Sequence, residues 1–146
     1  MTVAQRTALL CDVEIFAGVA AADLELLASM SEPETFAAGE AVWDRGDVAE
    51  RVHIVVSGAL AVILPGRDAP VETLGPGEMV GELAMFARSR RSAAVRAEVE
   101  TTVLSLSYQR FREFLLRHPE AMLALLERIV RLFLERERDW TRRAGV

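Results

Sequence analysis

From residue 34 to residue 107 the chain reads as a succession of short extended segments broken by glycine-bearing turns, and this block limits the fold more than any other feature. Val52, Ile54 and Val56 alternate with His53 and Val55, Ser57-Gly58 follows, and Leu60, Val62 and Leu64 then alternate with Ala61 and Ile63. A period of two puts successive side chains on opposite faces of a strand. A Ser-Gly pair between two such runs predicts a hairpin. Residues 35–39, 40–43, 71–74, 93–97 and 102–107 add further short strands. Seven or eight strands at these intervals predict a mainly β fold, an antiparallel jelly-roll β-barrel or double-stranded β-helix.

Helices flank this block. Residues 4–14 and 21–30 carry apolar side chains at helical spacing, with Phe16-Ala17-Gly18 between them. Residues 108–117 form an amphipathic helix bearing Phe111, Phe114 and Leu115. Pro119 suits the first turn of a long final helix, from about residue 120 to about residue 141. Along it Met122, Leu126, Ile129, Phe133, Arg136 and Trp140 recur at spacings of four and three, a coiled-coil seam. Leu123, Leu125, Val130, Leu132 and Leu134 make other faces apolar as well, so this helix needs more than one neighbour. The barrel covers one side, and a second copy of the chain, in a homodimer, is the expected cover for another. The expected organisation is one domain over 1–146: N-terminal helices 1–33, barrel 34–107 and C-terminal helices 108–146.

Several function classes are set aside by composition. The net charge is −5 and all 17 basic residues are arginine, which argues against a broad nucleic-acid surface. Cys11 is the only cysteine, so an internal disulfide is excluded and a reducing, cytoplasmic setting is expected. Neither an apolar run long enough to span a membrane nor a secretory leader is read. His53 and His118 have no second ligand nearby in sequence, and Cys11 has no neighbouring histidine. Neither a metal site nor a nucleophile–base pair is therefore expected, and the chain is not expected to be an enzyme. After Leu134 the mixed charges read as a solvated helix face, with no room for a DNA-binding domain in this chain.

The stretch 75–95 is the one place where a helical piece interrupts the strands. Gly75-Pro76-Gly77 reads as a turn; Gly81-Glu82 leads into Leu83-Ala84-Met85-Phe86, one or two helical turns; Arg88, Arg90 and Arg91 follow, then Ser92, Ala93 and Ala94. Glycine lets the backbone approach a ligand. Unpaired N–H groups at a helix start favour an anion, and an arginine adds paired charge-assisted hydrogen bonds. Glu82 can accept from a sugar hydroxyl. The cassette predicts a site for phosphate and ribose together.

With Phe36-Ala37-Ala38-Gly39-Glu40, Gly46-Asp47, the 52–58 strand and its glycine, and Gly81-Glu82-Leu83-Ala84 followed by Arg91-Ser92-Ala93-Ala94-Val95, the chain resembles the cyclic nucleotide-binding domain family, of the type found in the catabolite activator and the protein kinase A regulatory subunit. The resemblance implies that Glu82 accepts the ribose 2′-hydroxyl and Arg91 pairs with the cyclic phosphate. It implies that Gly81, Leu83 and Ala84 lie near the sugar-phosphate, and that Ser92 and Ala93 adjoin the phosphate or purine edge. It implies a final helix that caps the base, with Phe133, Arg136, Glu137 and Trp140 as lid residues. The implied ligand is cyclic AMP or cyclic GMP, with no further cofactor. The sequence departs from the family at Val80, where Phe is usual, at Arg90, where Pro is common, and at Arg88, where the residue is often small. The extra arginines leave open a larger anion such as a cyclic dinucleotide.

Two functions follow from this sequence. The first is a stand-alone cyclic nucleotide sensor that signals through its C-terminal helix to a protomer or an effector protein. The alternative is a barrel scaffold that binds no nucleotide and acts as a dimerisation or protein-interaction module.

Overall fold

The computed structural model describes the backbone of residues 1–143 and the side chains of residues 1–138. Eight strands occupy the middle of the chain: β1 (Glu32–Phe36), β2 (Ala41–Trp43), β3 (Arg51–Ser57), β4 (Leu60–Ile63), β5 (Glu72–Leu74), β6 (Met79–Val80), β7 (Ala94–Ala97) and β8 (Thr101–Ser107). They form two four-stranded antiparallel sheets, ordered β1-β8-β3-β6 and β2-β7-β4-β5. Of consecutive strands, only β4 and β5 share a sheet. This is the expected jelly roll, in which the chain passes back and forth between facing sheets.

The Ser57-Gly58 turn is not a hairpin. β3 pairs with β8 and β6, whereas β4 pairs with β5 and β7, so this turn carries the chain from one sheet to the other. Alternation reports which faces are buried, and it is the same whether the next strand lies beside or opposite. Gly58 makes the corner at φ +89°, where a Cβ would stand 2.5 Å from the Glu100 carbonyl oxygen. The real hairpin is β4–β5, with Leu60 opposite Leu74.

Helices cover the outside of the β1-β8-β3-β6 sheet. These are α1 (Val3–Cys11), a 3-10 turn at Glu14–Phe16, α2 (Ala21–Met30), α4 (Tyr108–Arg117) and α5 (Pro119–Arg143); the short α3 (Glu82–Ala87) lies between β6 and β7. Thr2 and Gln5 close a capping box that starts α1, which ends at Cys11 rather than continuing to residue 14. Two strands serve two cores at once. Val52, Ile54, Leu104 and Leu106 pack with Phe16, Leu24, Leu27, Phe111 and Leu115 beneath the helices, while Val55 and Val103 join Leu60, Leu74 and Val95 inside the barrel. A sheet buried on both faces loses the clean apolar–polar alternation.

The α5 seam is rotated from its expected register. Met122 and Ile129 pack on the helical core, and Leu125 is fully buried. Leu123, Leu126, Val130 and Phe133, spaced three, four and three, are exposed instead. The cause is the docking of α5 against the 3-10 turn and α4, which takes the side bearing residues 122, 125 and 129.

Candidate functional site

Strand β6 ends at Val80, and Gly81 turns the chain into α3 in the left-handed region, at φ +98°. A Cβ there would meet Arg91 Nη1 at 2.8 Å, with the Arg51 carbonyl oxygen and the Trp43 ring at 3.1 Å. Gly81 is thus needed both for its backbone angle and for the space the Arg91 guanidinium occupies.

Glu82, the first residue of α3, keeps only 6% of its surface exposed. Its Oε1 accepts from Arg128 Nη1 at 3.1 Å, and Arg128 Nη2 donates to the Met79 carbonyl at 3.4 Å. Burial pushes the Glu82 carboxyl above its ordinary range, with the backbone hydrogen bond and then Arg128 acting the other way.

Arg91 follows α3 in a loop pinned to the β2–β3 turn, its N–H donating to Asp47 O at 3.0 Å and its carbonyl accepting from Gly46 N at 2.8 Å. Arg91 too keeps only 6% of its surface exposed. The guanidinium lies 3.6 Å above the Trp43 ring, a cation–π contact. Nη2 donates to Arg51 O at 2.7 Å, and Nη1 to the Tyr108 hydroxyl at 2.8 Å and Gly81 O at 3.4 Å. The Tyr108 hydroxyl in turn donates to Gly81 O. Nε is buried with no hydrogen-bond partner, and no carboxylate among the described residues comes within ion-pair distance of Arg91. Burial lowers the pKa of this group and Tyr108 counteracts it most. A buried cation held only by neutral acceptors fits an anion, whose oxygen would exchange for one of those acceptors; the unmatched Nε costs roughly 1–3 kcal/mol.

One cavity of about 210 Å³ brings these residues together. All seven expected ligand residues line it: Gly81, Glu82, Leu83, Ala84, Arg91, Ser92 and Ala93. Its far wall is apolar, from Val62, Leu64 and Val71 of the barrel and Ile129 and Leu132 of α5. Of the lid residues, Phe133 and Arg136 line the cavity, and Arg136 Nη2 pairs with Glu72 Oε2 at 2.9 Å across its mouth. Glu137 is exposed and outside the wall. The Trp140 side chain lies outside the described residues. Arg88 and Arg90 do not line the cavity either; both are exposed on the other side of the cassette.

Sequence reasoning missed Arg128, Trp43 and Tyr108. Arg128 had a signal: with Leu132 and Arg136 it makes an i, i+4, i+8 row on the cavity side of α5. Trp43 and Tyr108 lie 48 and 17 residues from Arg91, and nothing local marks them. One layer below, His53 sits 5.4 Å from the Trp43 ring with Nδ1 buried and unpartnered. Burial, then Arg91 and Arg51, pushes its pKa down to about 4. Among the described residues no three His, Cys, Asp or Glu side chains converge as a metal site would require.

The family described as "Cyclic nucleotide-binding domain" matches residues 33–118. The chain is 31% identical over 91 residues to the cAMP-activated global transcriptional regulator CRP of Salmonella typhimurium, covering 60% of this chain and 43% of that protein. Its fold matches the Thermus thermophilus catabolite activator protein with a TM-score of 0.79 at 23% identity, covering 89% of this chain and 62% of that one. It matches the regulatory domain of Toxoplasma gondii PKA with cAMP with a TM-score of 0.78 at 22% identity, covering 88% and 50%. The chain spans about half the length of the curated relatives from Salmonella and Thermus.

Proposed function

The chain belongs to the cyclic nucleotide-binding domain family, and from that premise we propose that it is a cyclic AMP or cyclic GMP sensor that signals through α5. One observation carries this reading. Arg91 is a buried cation with no acidic partner among the described residues and an unmatched Nε, set in the same cavity wall as the buried carboxylate of Glu82. One group takes the cyclic phosphate, the other the ribose 2′-hydroxyl. Gly81, Leu83, Ala84, Ser92 and Ala93 close around the sugar-phosphate. The apolar wall from Val62 to Leu132 takes the base, and Ser92 permits a contact to guanine without demanding one.

Helix α5 is the moving part in this reading. It is tied to the cavity by Arg128–Glu82 and Arg136–Glu72. A ribose hydroxyl arriving at Glu82 competes with Arg128, so the nucleotide acts on the helix through differential affinity for its two placements. Phe133 lines the cavity and yet is 66% exposed, which suits a residue that caps a base and contacts a second copy. The stripe Leu123, Leu126, Val130 and Phe133 serves the homodimer, and the signal passes to the partner protomer or to an effector. A cytoplasmic location is part of the proposal, in keeping with the single exposed Cys11; no helix among the described residues is long and apolar enough to cross a membrane.

Isothermal calorimetry with cyclic AMP and with cyclic GMP tests the reading. Saturable heat with one or both is expected. A folded sample that gives none with either overturns it, and leaves the scaffold reading with α5 as the working surface.

A further inference from the structure

Arg88 and Arg90, which the nucleotide cavity does not use, line a second concavity of about 420 Å³ on the opposite side of α3, and Arg112 of α4 joins them there. Val48, Ala49 and Met85 give this groove an apolar floor, and no carboxylate among the described residues lines it. Arg90 Nη1 donates to the Gly46 carbonyl at 3.1 Å. None of the three arginines forms an ion pair among the described residues, although five other arginines do: Arg51, Arg96, Arg128, Arg131 and Arg136.

That segregation is unusual for this chain. Its acidic residues outnumber its basic ones by 22 to 17, so three arginines lining one groove with no ion pair among the described residues run against the average surface. Arg88 also holds an uncommon backbone position, φ +52°, where it caps the end of α3 and where glycine or asparagine is the ordinary choice. A long cationic side chain is present at a turn that favours a small residue.

We propose that this groove docks an acidic peptide segment of a partner protein, with carboxylates on Arg88, Arg90 and Arg112 and one apolar side chain on the Val48–Met85 floor. Guanidinium groups pair carboxylates in two parallel bonds, which gives such a segment a fixed direction. The floor favours a peptide over a nucleic acid, because a peptide can place an aliphatic side chain on Val48 and Met85 while a sugar-phosphate backbone offers only polar groups there. Tyr108 and Ala84 stand between the two concavities: both line this groove, Ala84 lines the nucleotide cavity, and the Tyr108 hydroxyl bonds Arg91. The groove is nevertheless complete without a nucleotide, and its test does not depend on one.

The experiment is fluorescence anisotropy of a labelled nine-residue peptide with one central leucine, three glutamates matched to the three arginines and serines elsewhere, titrated with the chain in low salt. The variant combines Arg88→Gly, Arg90→Ala and Arg112→Ala. Glycine suits the left-handed position of Arg88, so the thermal midpoint is expected to hold or rise, and a melting curve verifies that the variant is folded. Saturable binding by the wild-type chain, weakened at least tenfold in the variant and absent for a peptide with lysines in place of the acids, supports the proposal. Equal affinity for the wild type and the folded variant overturns it, as does tighter binding of a single-stranded oligonucleotide than of the acidic peptide. Should the triple variant fail to fold, Arg112→Glu alone is the deciding measurement, with the same tenfold loss expected and unchanged affinity overturning the proposal.

Discussion

The carboxylate of Glu82 and the guanidinium of Arg128 meet at 3.1 Å, the one side chain from the cassette, the other from the terminal helix 46 residues later. Both are shielded from water, with 7% and 17% of their side chains exposed. Opposite charges removed from solvent are costly to separate, since a lone survivor is left buried. The pair therefore fixes where α5 stands relative to the cassette.

Arg128→Ala should lower the stability of the nucleotide-free chain by about 1–3 kcal/mol, less than a fully buried pair would lose because Glu82 can take up a proton. The sign with pH follows. Burial already raises the Glu82 pKa; removing the cation raises it further, so the variant gains relative stability below the ordinary carboxylate range and loses it as pH rises through the folded-state value. Urea unfolding at pH 5 and at pH 8 checks this, with the larger deficit expected at pH 8. A Glu82→Gln, Arg128→Ala double variant should recover part of the loss.

Arg91→Ala should weaken cyclic nucleotide binding by about 2–5 kcal/mol, the range for stranding one partner of a buried charge pair. The folded state should tolerate the change better than the ligand does, because Arg91 is held only by neutral acceptors and leaves Nε unmatched. Calorimetry gives the first quantity and thermal melting the second. A variant that melts like the wild type and binds with equal affinity removes Arg91 from the site.

Gly58 and Gly81 separate stability from binding. An alanine at either meets a positive φ, a strain of roughly 1–3 kcal/mol. At Gly58 the Cβ also runs into the backbone of Glu100 and Thr101, which have little freedom to move. At Gly81 it meets the Arg91 guanidinium at 2.8 Å, a flexible tip that can shift away. Gly58→Ala is expected to lower the melting temperature more and leave nucleotide affinity of the folded fraction intact. Gly81→Ala is expected to cost less stability and more affinity.

What the sequence discloses and what it hides follows from the range of each interaction. The strands, helices and cassette are local patterns, and they were legible: α4 occupies 108–117 as its apolar spacing predicts, and the seven cassette residues share one cavity wall. Pairing partners are not local. The run from Val52 through Gly58 to Leu64 looks like a hairpin because burial sets its pattern, while which strand lies beside β3 is decided by β8, which begins 50 residues after β3 does. The same limit hid Trp43 and Tyr108, whose roles come from barrel closure bringing β2 and the start of α4 to Arg91. The rotation of the α5 stripe is a third case: a helix apolar on several faces does not say which face its own domain takes.

His53 gives the clearest pH prediction. Its folded-state pKa of about 4 lies below the ordinary 6.5, with burial as the first cause and Arg91 and Arg51 next. A depressed value means that the contribution to stability is complete above 6.5 and is lost as pH falls toward 4. The drop amounts to about 3 kcal/mol at 1.36 kcal/mol per pH unit. His53→Phe, which suits the neighbouring Phe36 and Trp43 rings, should flatten the dependence of unfolding free energy on pH between 6.5 and 4 by close to one proton. Parallel slopes in the two proteins would show that His53 stays neutral for no energetic reason.

The exposed stripe on α5 supplies the last test. Leu126 and Val130 are about half exposed, so replacing both by glutamate removes little packing from the protomer, within roughly 0.5 kcal/mol per surface site. In a dimer built on that stripe the same carboxylates would face their symmetry mates across a two-fold interface, where like charges close together cost several kcal/mol. Light scattering should therefore give a dimer for the wild type and a monomer for Leu126→Glu/Val130→Glu, with the two melting curves alike at low protein concentration. The contrasting pair, Met122→Glu/Ile129→Glu, acts on the face packed against the helical core and should destabilise the protomer itself. A wild-type chain that is monomeric at high concentration would show that another partner covers Leu123, Leu126, Val130 and Phe133.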